Sequence, residues 1–479
     1  MKIRNDKKSK TNNVIKLMFY MAFLFSLSIC SCKKLLDVPK SSSLILNKDV
    51  FADNATATSA VMGLYNKMVA LNLSMSNGGL SIYPALSADE LYNPLAHTGY
   101  DPFSSNDIPV ANTTVSNNFW STGYKNIYHA NAILEGLNAS NTVSKAARNQ
   151  LRGETLVIRA LYLFYLTNFF GDIPLVLSTD FERNATMRRT PADEVIKQLI
   201  TDLKEASVLL IPTYEGVVRA RVNSYTARAF LARVYLYNRE WEKAAAESSA
   251  VISSGLYSLE RGVDKAFLST SNETIWQLVR ENLNTAEAVA LIPVSTVAMP
   301  ALVIRNELLN SFEIGDERKN HWMKFNMING QRYYYPYKYK IRTGSTVSEY
   351  LVVFRLAEQY LIRAEARAEQ GNLSGAIEDL NILRTRSRAL TTTELPNPLP
   401  SLFFNLDKST LLDAVYKERF TELFCEWGHR WLDLKRSGKA NSVISKFKPS
   451  WKSYAELYPI PFAETQLNIY LTQNPGYGN

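Results

Sequence analysis

Aromatic rings set among polar neighbours are the residues of this chain best suited to chemistry. Tyr83, Tyr92, Tyr100 and Phe103 share one stretch with Asp89, Asn93 and Asp101. Trp322, Tyr333, Tyr334 and Tyr335 share another with Asn326 and Asn329. Flat rings stack against sugar C–H faces while amides and carboxylates reach the hydroxyls, which is what a neutral glycan asks of its site. Trp322 is the first candidate, because it follows Asp316, Arg318 and His321 in a polar stretch without apolar partners at helical spacing. Tyr92 and Tyr100 come next, and Asp89, Asn93, Tyr333 and Tyr334 complete the candidate ligand-binding set. Loop packing is the competing reading for each of these aromatics, and Trp276 in the strand-like Glu273–Leu278 is assigned to the core.

Catalytic patterns are missing. The histidines are His97, His129, His321 and His429, and none forms an HExxH pair or a zinc-spaced set with cysteine. No GxGxxG, GxxxxGK[ST] or GxSxG is present. No catalytic residue, metal or cofactor is expected. A glycosidase needs two carboxylates, which 45 acidic residues could supply, so a helical glycoside hydrolase stays open as an alternative. Glu418, Arg419, Glu422, Glu426 and Arg430 recur at three- and four-residue spacing, placing them on one helical face. An acid/base or metal cluster is one reading. Charges near a core must be paired, so an ion-pair network is expected instead, with Arg430 or another cation as the partner of Glu426. Arg152, Glu154 and Arg159 are read the same way.

The elements that hold these residues are mostly helices. The chain has 479 residues, 46% of them hydrophobic, which rules out a disordered or collagen-like polymer. Apolar residues recur at helical spacing over 60–73, 119–137, 146–170, 192–210, 225–237, 241–252, 350–369, 374–386 and 410–427. Irregular segments are expected at 74–116, 282–331 and 389–407, and such long loops are more often functional than accidental. Ala232 and Ala244, like Ala364 and Ala376, stand twelve apart across a short polar turn, the spacing of a tetratricopeptide-like hairpin. Arg367 stands where the first hairpin has Tyr235, so the repeat is partial.

The net charge is +9, but six basic residues against Asp6 give the first 31 residues +5. The remaining +4 over the body implies no nucleic-acid partner. Lys16 leads into Leu17–Ile29, an apolar run of 13 residues, too short to span a bilayer and suited to secretion. Ser31 precedes Cys32 and Ile29 stands three before it, which fits a lipidated cysteine at Cys32 better than at Cys30. Several buried acyl tails anchor a protein stably to a membrane. Ordinary secretion is the plainer alternative. Cys425 alone remains in the body and reads as a small buried hydrophobe.

In order along the chain, several segments resemble the SusD/RagB family of outer-membrane nutrient-binding lipoproteins. They are Ser31-Cys32-Lys33-Lys34-Leu35-Leu36-Asp37; Trp120 with Tyr124, Ile127 and Asn131; and Arg152-Gly153-Glu154 through Arg159-Ala160-Leu161-Tyr162 to Gly171-Asp172-Ile173-Pro174. Arg355-Leu356-Ala357-Glu358, Glu418-Arg419, Arg430-Trp431-Leu432-Asp433 and Tyr458-Pro459-Ile460-Pro461 continue the match, while Gln359-Tyr360 and Cys425 depart from it. The resemblance implies a mainly α fold of tetratricopeptide-like repeats with long loops and a few short strands. It implies a signal peptide over 1–31, a lipidated tether over 32–48, an N-terminal helical region over 49–260, and a C-terminal region over 261–479 packed with it as one body. The implied role is a cell-surface lipoprotein of the outer membrane that captures oligosaccharide for a SusC-like TonB-dependent transporter, through loops in the two aromatic stretches. A peptide ligand is the first alternative; a helical-repeat scaffold binding only protein partners is another. Lys33-Lys34 carries no legible surface-export signal, so surface exposure follows from the resemblance alone.

Overall fold

Apolar residues returning every three to four positions need one buried stripe, and polar caps fix where each stripe starts. The computed structural model describes residues 47–216 and 218–478; the segment expected to be a signal peptide and the expected lipidation site Cys32 lie outside them. Residues Phe51–Asn479 form one unit. Its main helices are α1 (Asn54–Met68), α2 (Leu80–Ser87), α3 (Thr122–Ala139), α4 (Lys145–Phe170), α5 (Ala192–Leu209), α6 (Ser224–Tyr237), α7 (Trp241–Ile252), α8 (Leu356–Glu369), α9 (Leu373–Arg386), α10 (Lys408–Leu423) and α11 (His429–Arg436). Asp53 caps α1 by accepting from Thr56 N at 2.8 Å, Asn223 caps α6 through Thr226 N at 2.9 Å, and Asp407 caps α10 through Thr410 N at 3.0 Å. Among the described residues no helix is long and apolar enough to cross a membrane.

Consecutive helices pack on one another from α3 to α9, as expected of a tetratricopeptide-like body. Ala232, Ala244, Ala364 and Ala376 are all fully buried, so no side chain holds the paired helices apart. Arg239 and Gly371, each seven residues after the first alanine of its pair, take positive φ of 59° and 84° and turn the chain between helices. The shared turn is visible only in the backbone, since arginine gives no hint of a left-handed residue.

Three expectations are corrected. Tyr350–Glu369 is not one helix: Leu351–Arg355 is a fully buried strand and the helix starts at Leu356. Periodicity cannot separate a buried strand from a buried helix turn when every residue is apolar. Thr410–Trp427 stops at Leu423, and Cys425, Trp427 and Gly428 at φ 52°, 47° and 69° swing the chain away. Segment 74–116 is far from irregular, because it contains α2, every residue of which is buried despite Pro84.

The strands are β1 (Leu91–Tyr92), β2 (Thr274–Leu278), β3 (Val303–Ile304), β4 (Met323–Ile328), β5 (Gln331–Pro336) and β6 (Leu351–Arg355). They form three antiparallel pairs, β1 with β3, β2 with β6 and β4 with β5. Trp276 on β2 is buried against Phe354 of β6, as the sequence suggests.

Many buried charges are paired, although Glu90, Glu287 and Lys448 have no ion-pair partner among the described residues. Arg159 meets Asp202 at 2.7 Å and Arg221 meets Glu154 at 2.5 Å, while Arg152 meets Glu205 nearer the surface. Glu422, fully buried, accepts from Arg318 at 2.8 Å and Arg355 at 2.6 Å, with Arg386 alongside. Burial works against ionisation, yet Arg386, Arg355 and Arg318 hold the Glu422 carboxyl well below the usual range. Glu426 pairs with Arg355 at 2.8 Å and with Lys338, and Arg430 turns instead to Asp89. The chain turn after Leu423 causes this exchange of partners, since it takes Glu426 and Arg430 off the face of α10.

Candidate functional site

Hydrogen bonding of β1 to β3 sets Leu91 opposite Ile304 and Tyr92 opposite Val303, bringing the first aromatic stretch against residues 303–309. The β4–β5 hairpin turns through Asn329 (φ 49°) and Gly330 (φ 79°), the pairing that suits a tight two-residue turn. It faces Phe325 to Tyr334 and Asn326 to Tyr333. The buried Asn326 amide ties the hairpin down by donating to Ser295 O at 2.8 Å and Ala298 O at 2.6 Å.

Between these pieces lies a cleft of about 300 Å³ lined by Tyr92, Arg305, Asn306, Glu307, Arg332 and Tyr334, among others. Burial raises the Tyr92 phenol pKa, and neighbouring Tyr333 adds to the rise. The Arg305 guanidinium lies 5.6 Å from the Tyr92 ring, and Arg332 lies 4.8 Å from Phe325, whose ring packs on Tyr334. Rings, amides and charged groups therefore share one concavity. Glu307 is the carboxylate among the lining residues. Among the described residues no group of three His, Cys, Asp or Glu is arranged for a metal ion.

The candidate residues divide. Tyr92 and Tyr334 line the cleft, and Tyr333 sits beside Tyr92. Asn93 and Tyr100 belong to an adjoining turn: the Asn93 amide donates to Asp101 and to Leu95 O at 3.0 Å, and Tyr100 is buried with its ring stacked on His97 at 4.2 Å. Asp89 is buried and held by Arg430 at 2.7 and 2.6 Å, so it has no free oxygen pair for a ligand. Trp322 is no surface platform. Its ring is 0% exposed, Nε1 donates to Val263 O at 2.8 Å, and Phe267, Phe424 and Lys338 pack around it. The polar residues before Trp322 misled because Asp316 and Arg318 are themselves buried, paired with each other and through Arg318 with Glu418 and Glu422. Sequence reasoning missed Arg305, Asn306 and Glu307. The signal was the apolar Leu302-Val303-Ile304 preceding a charged turn, together with Asn329-Gly330 as a hairpin marker.

A larger concavity of about 530 Å³ lies elsewhere, lined by Trp120, Tyr124, Tyr128, Phe181 and Leu467 among others. Its walls are mainly apolar, with Phe181 81% exposed.

Comparison with known proteins places these features in a family. Residues 36–236 match the family described as "Starch-binding associating with outer membrane", and residues 313–477 match the SusD family. A SusD-like protein from Formosa agariphila, P25, is 24% identical over 97% of this chain and 99% of its own length. A SusD superfamily protein from Bacteroides vulgatus superposes with a TM-score of 0.77 at 20% identity, covering 89% of this chain and all of that one. A laminarin-binding SusD-like protein superposes at 0.73 with 24% identity, covering 88% of this chain and 99% of that one. Fold, motif order and both matched regions agree: the chain belongs to the SusD/RagB family.

Proposed function

We propose that this protein is a lipid-anchored, cell-surface binding protein that captures oligosaccharide in the Tyr92–Tyr334 cleft and delivers it to a SusC-like TonB-dependent transporter of the outer membrane. The observation that carries the reading is the meeting of two rings, from stretches far apart in the chain, across one cleft that also holds Asn306, Glu307 and Gln331. Ring faces take the sugar C–H faces, and the amides and carboxylate take hydroxyls. The description of one matched family as starch-binding, and of one structural neighbour as laminarin-binding, supports a glycan over a peptide. Anchoring rests on Cys32, and delivery on the family.

Calorimetry with a panel of glycans and peptides tests this. A glycan should bind, and Tyr92→Ala or Tyr334→Ala should each weaken it about ten-fold, the effect of losing roughly 1.4 kcal/mol of stacking. Phe181→Ala, in the apolar concavity, should change nothing. A peptide ligand, or a glycan lost with Phe181→Ala and kept by both tyrosine variants, overturns the proposal.

A further inference from the structure

Arginines in this protein that are buried are held by carboxylates: Arg159 by Asp202, Arg233 by Glu358, Arg318 by Asp316, Arg419 by Asp433 and Arg436 by Glu365. Arg305 is different from these, and different also from Arg189, Arg219 and Arg280, half-buried arginines without a carboxylate whose terminal nitrogens donate to protein oxygens. It is half-buried, and among the described residues no carboxylate oxygen comes within ion-pairing distance of it. Its Nε donates to Leu91 O at 3.0 Å, and its backbone N–H donates to Glu90 O at 2.9 Å. The Phe447 ring lies 4.8 Å from the guanidinium carbon, and Tyr92 lies 5.6 Å from it. Backbone and rings therefore fix the guanidinium, while Nη1 and Nη2 have no protein hydrogen-bond partner among the described residues. Burial depresses its pKa despite the opposing pull of Glu307, Asp89 and Tyr92, so the charge is under-compensated.

Arg305 lines the cleft, with Arg332 as a second cation and Glu307 as the one facing anion. A planar cation with its two terminal nitrogens free is matched by two oxygens of one acidic group, in a bidentate pair that neither a hydroxyl nor a lysine reproduces. We infer that Arg305 reads an acidic group on the bound sugar, so that the cleft selects anionic oligosaccharides, carrying a uronate carboxylate or a sulfate ester, over neutral ones. This rests on the cleft being the glycan site.

The test uses matched pairs of oligosaccharides in calorimetry on the mature protein. One arm compares a uronate oligomer with its carboxyl-reduced form; the other compares a sulfated oligomer with its desulfated form. In one arm the acidic member should bind at least about ten-fold tighter, and the preference should shrink as salt is raised. The arm that shows it identifies the acid. R305Q should abolish the preference, and R305K should restore only part of it. Neutral members binding as tightly as acidic ones, with Tyr92→Ala and Tyr334→Ala still weakening binding about ten-fold, would overturn this inference and leave the proposed function standing. Binding insensitive to both tyrosine variants overturns both. If R305Q does not fold, R305K decides, because salt dependence alone would not separate Arg305 from Arg332: an acidic preference left whole in R305K overturns the inference.

Discussion

Replacing Glu426 by alanine removes the carboxylate that Arg355 and Lys338 share. Arg355 donates to it through Nε at 2.8 Å and Nη2 at 2.9 Å, and keeps Glu422 at 2.6 Å after the change. Losing two charge-assisted bonds while one strong partner remains costs about 2–3 kcal/mol. Lys338 fares differently, because Glu426 is its one ion-pair partner among the described residues, leaving only Glu422 O at 2.8 Å. Burial already pulls the Lys338 pKa down to about 8 against the opposing pull of Glu426. Without that pull the ammonium loses its proton, and from about 8 this costs only about 1 kcal/mol at pH 7. The total is about 3–4 kcal/mol, within the range for breaking a buried pair. The sign with pH follows from Lys338. Its folded pKa lies below the unfolded value, so its burial cost is full below about 8 and fades as pH rises toward the unfolded pKa. In the variant the fading starts at lower pH, so the gap between parent and variant narrows by about 1 kcal/mol from pH 7 to pH 9. Urea denaturation of both proteins at the two pH values measures it. A loss under about 1 kcal/mol at pH 7, with an unchanged m-value, would refute the pairing argument; a gap that does not narrow would refute the role of Lys338.

Trp322→Ala should destabilise the fold by about 3–5 kcal/mol, as expected for a fully buried indole, and a lowered melting temperature checks it. Glu287 is buried with Oε2 lacking a hydrogen-bond partner, and burial pushes its carboxyl up to about 7. A raised carboxyl pKa destabilises above the unfolded value, so Glu287→Gln should gain on the parent between about pH 5 and 7, by at most about 3 kcal/mol, and hold level above; melting curves across that window decide. Cys32→Ala should leave the protein folded but unanchored, and recovery in the membrane pellet at the parental level would contradict this.

Legibility in the sequence followed the physics of each segment. Trp241–Ile252 is helical over the range its periodicity gives, because one face is buried and the other solvated. The stretch before α8 misled because uniform burial erases the period that distinguishes strand from helix. Tyr92 and Tyr334, legible as rings in the two aromatic stretches, line one cleft. Trp322 and Asp89 were misplaced because a charged neighbourhood in sequence signals solvent only when the charges lack partners, and Arg318 and Arg430 have them. Leu302-Val303-Ile304 marks a strand before Arg305, but what Arg305 lies against depends on a strand pairing made across the chain.

That pairing has a kinetic consequence. Arg305 Nε and Leu91 O are 214 residues apart in sequence, and β1 and β3 contribute only two residues each to their ladder. Closing a loop of that length costs about 5 kcal/mol of chain entropy before any constant is added. So short a ladder cannot offset this alone and must wait until the helices between have folded. The cleft is therefore among the last features to form on refolding. Neither half of the chain expressed alone would contain it, and recovery of ligand binding after dilution from denaturant should lag behind recovery of helical circular dichroism.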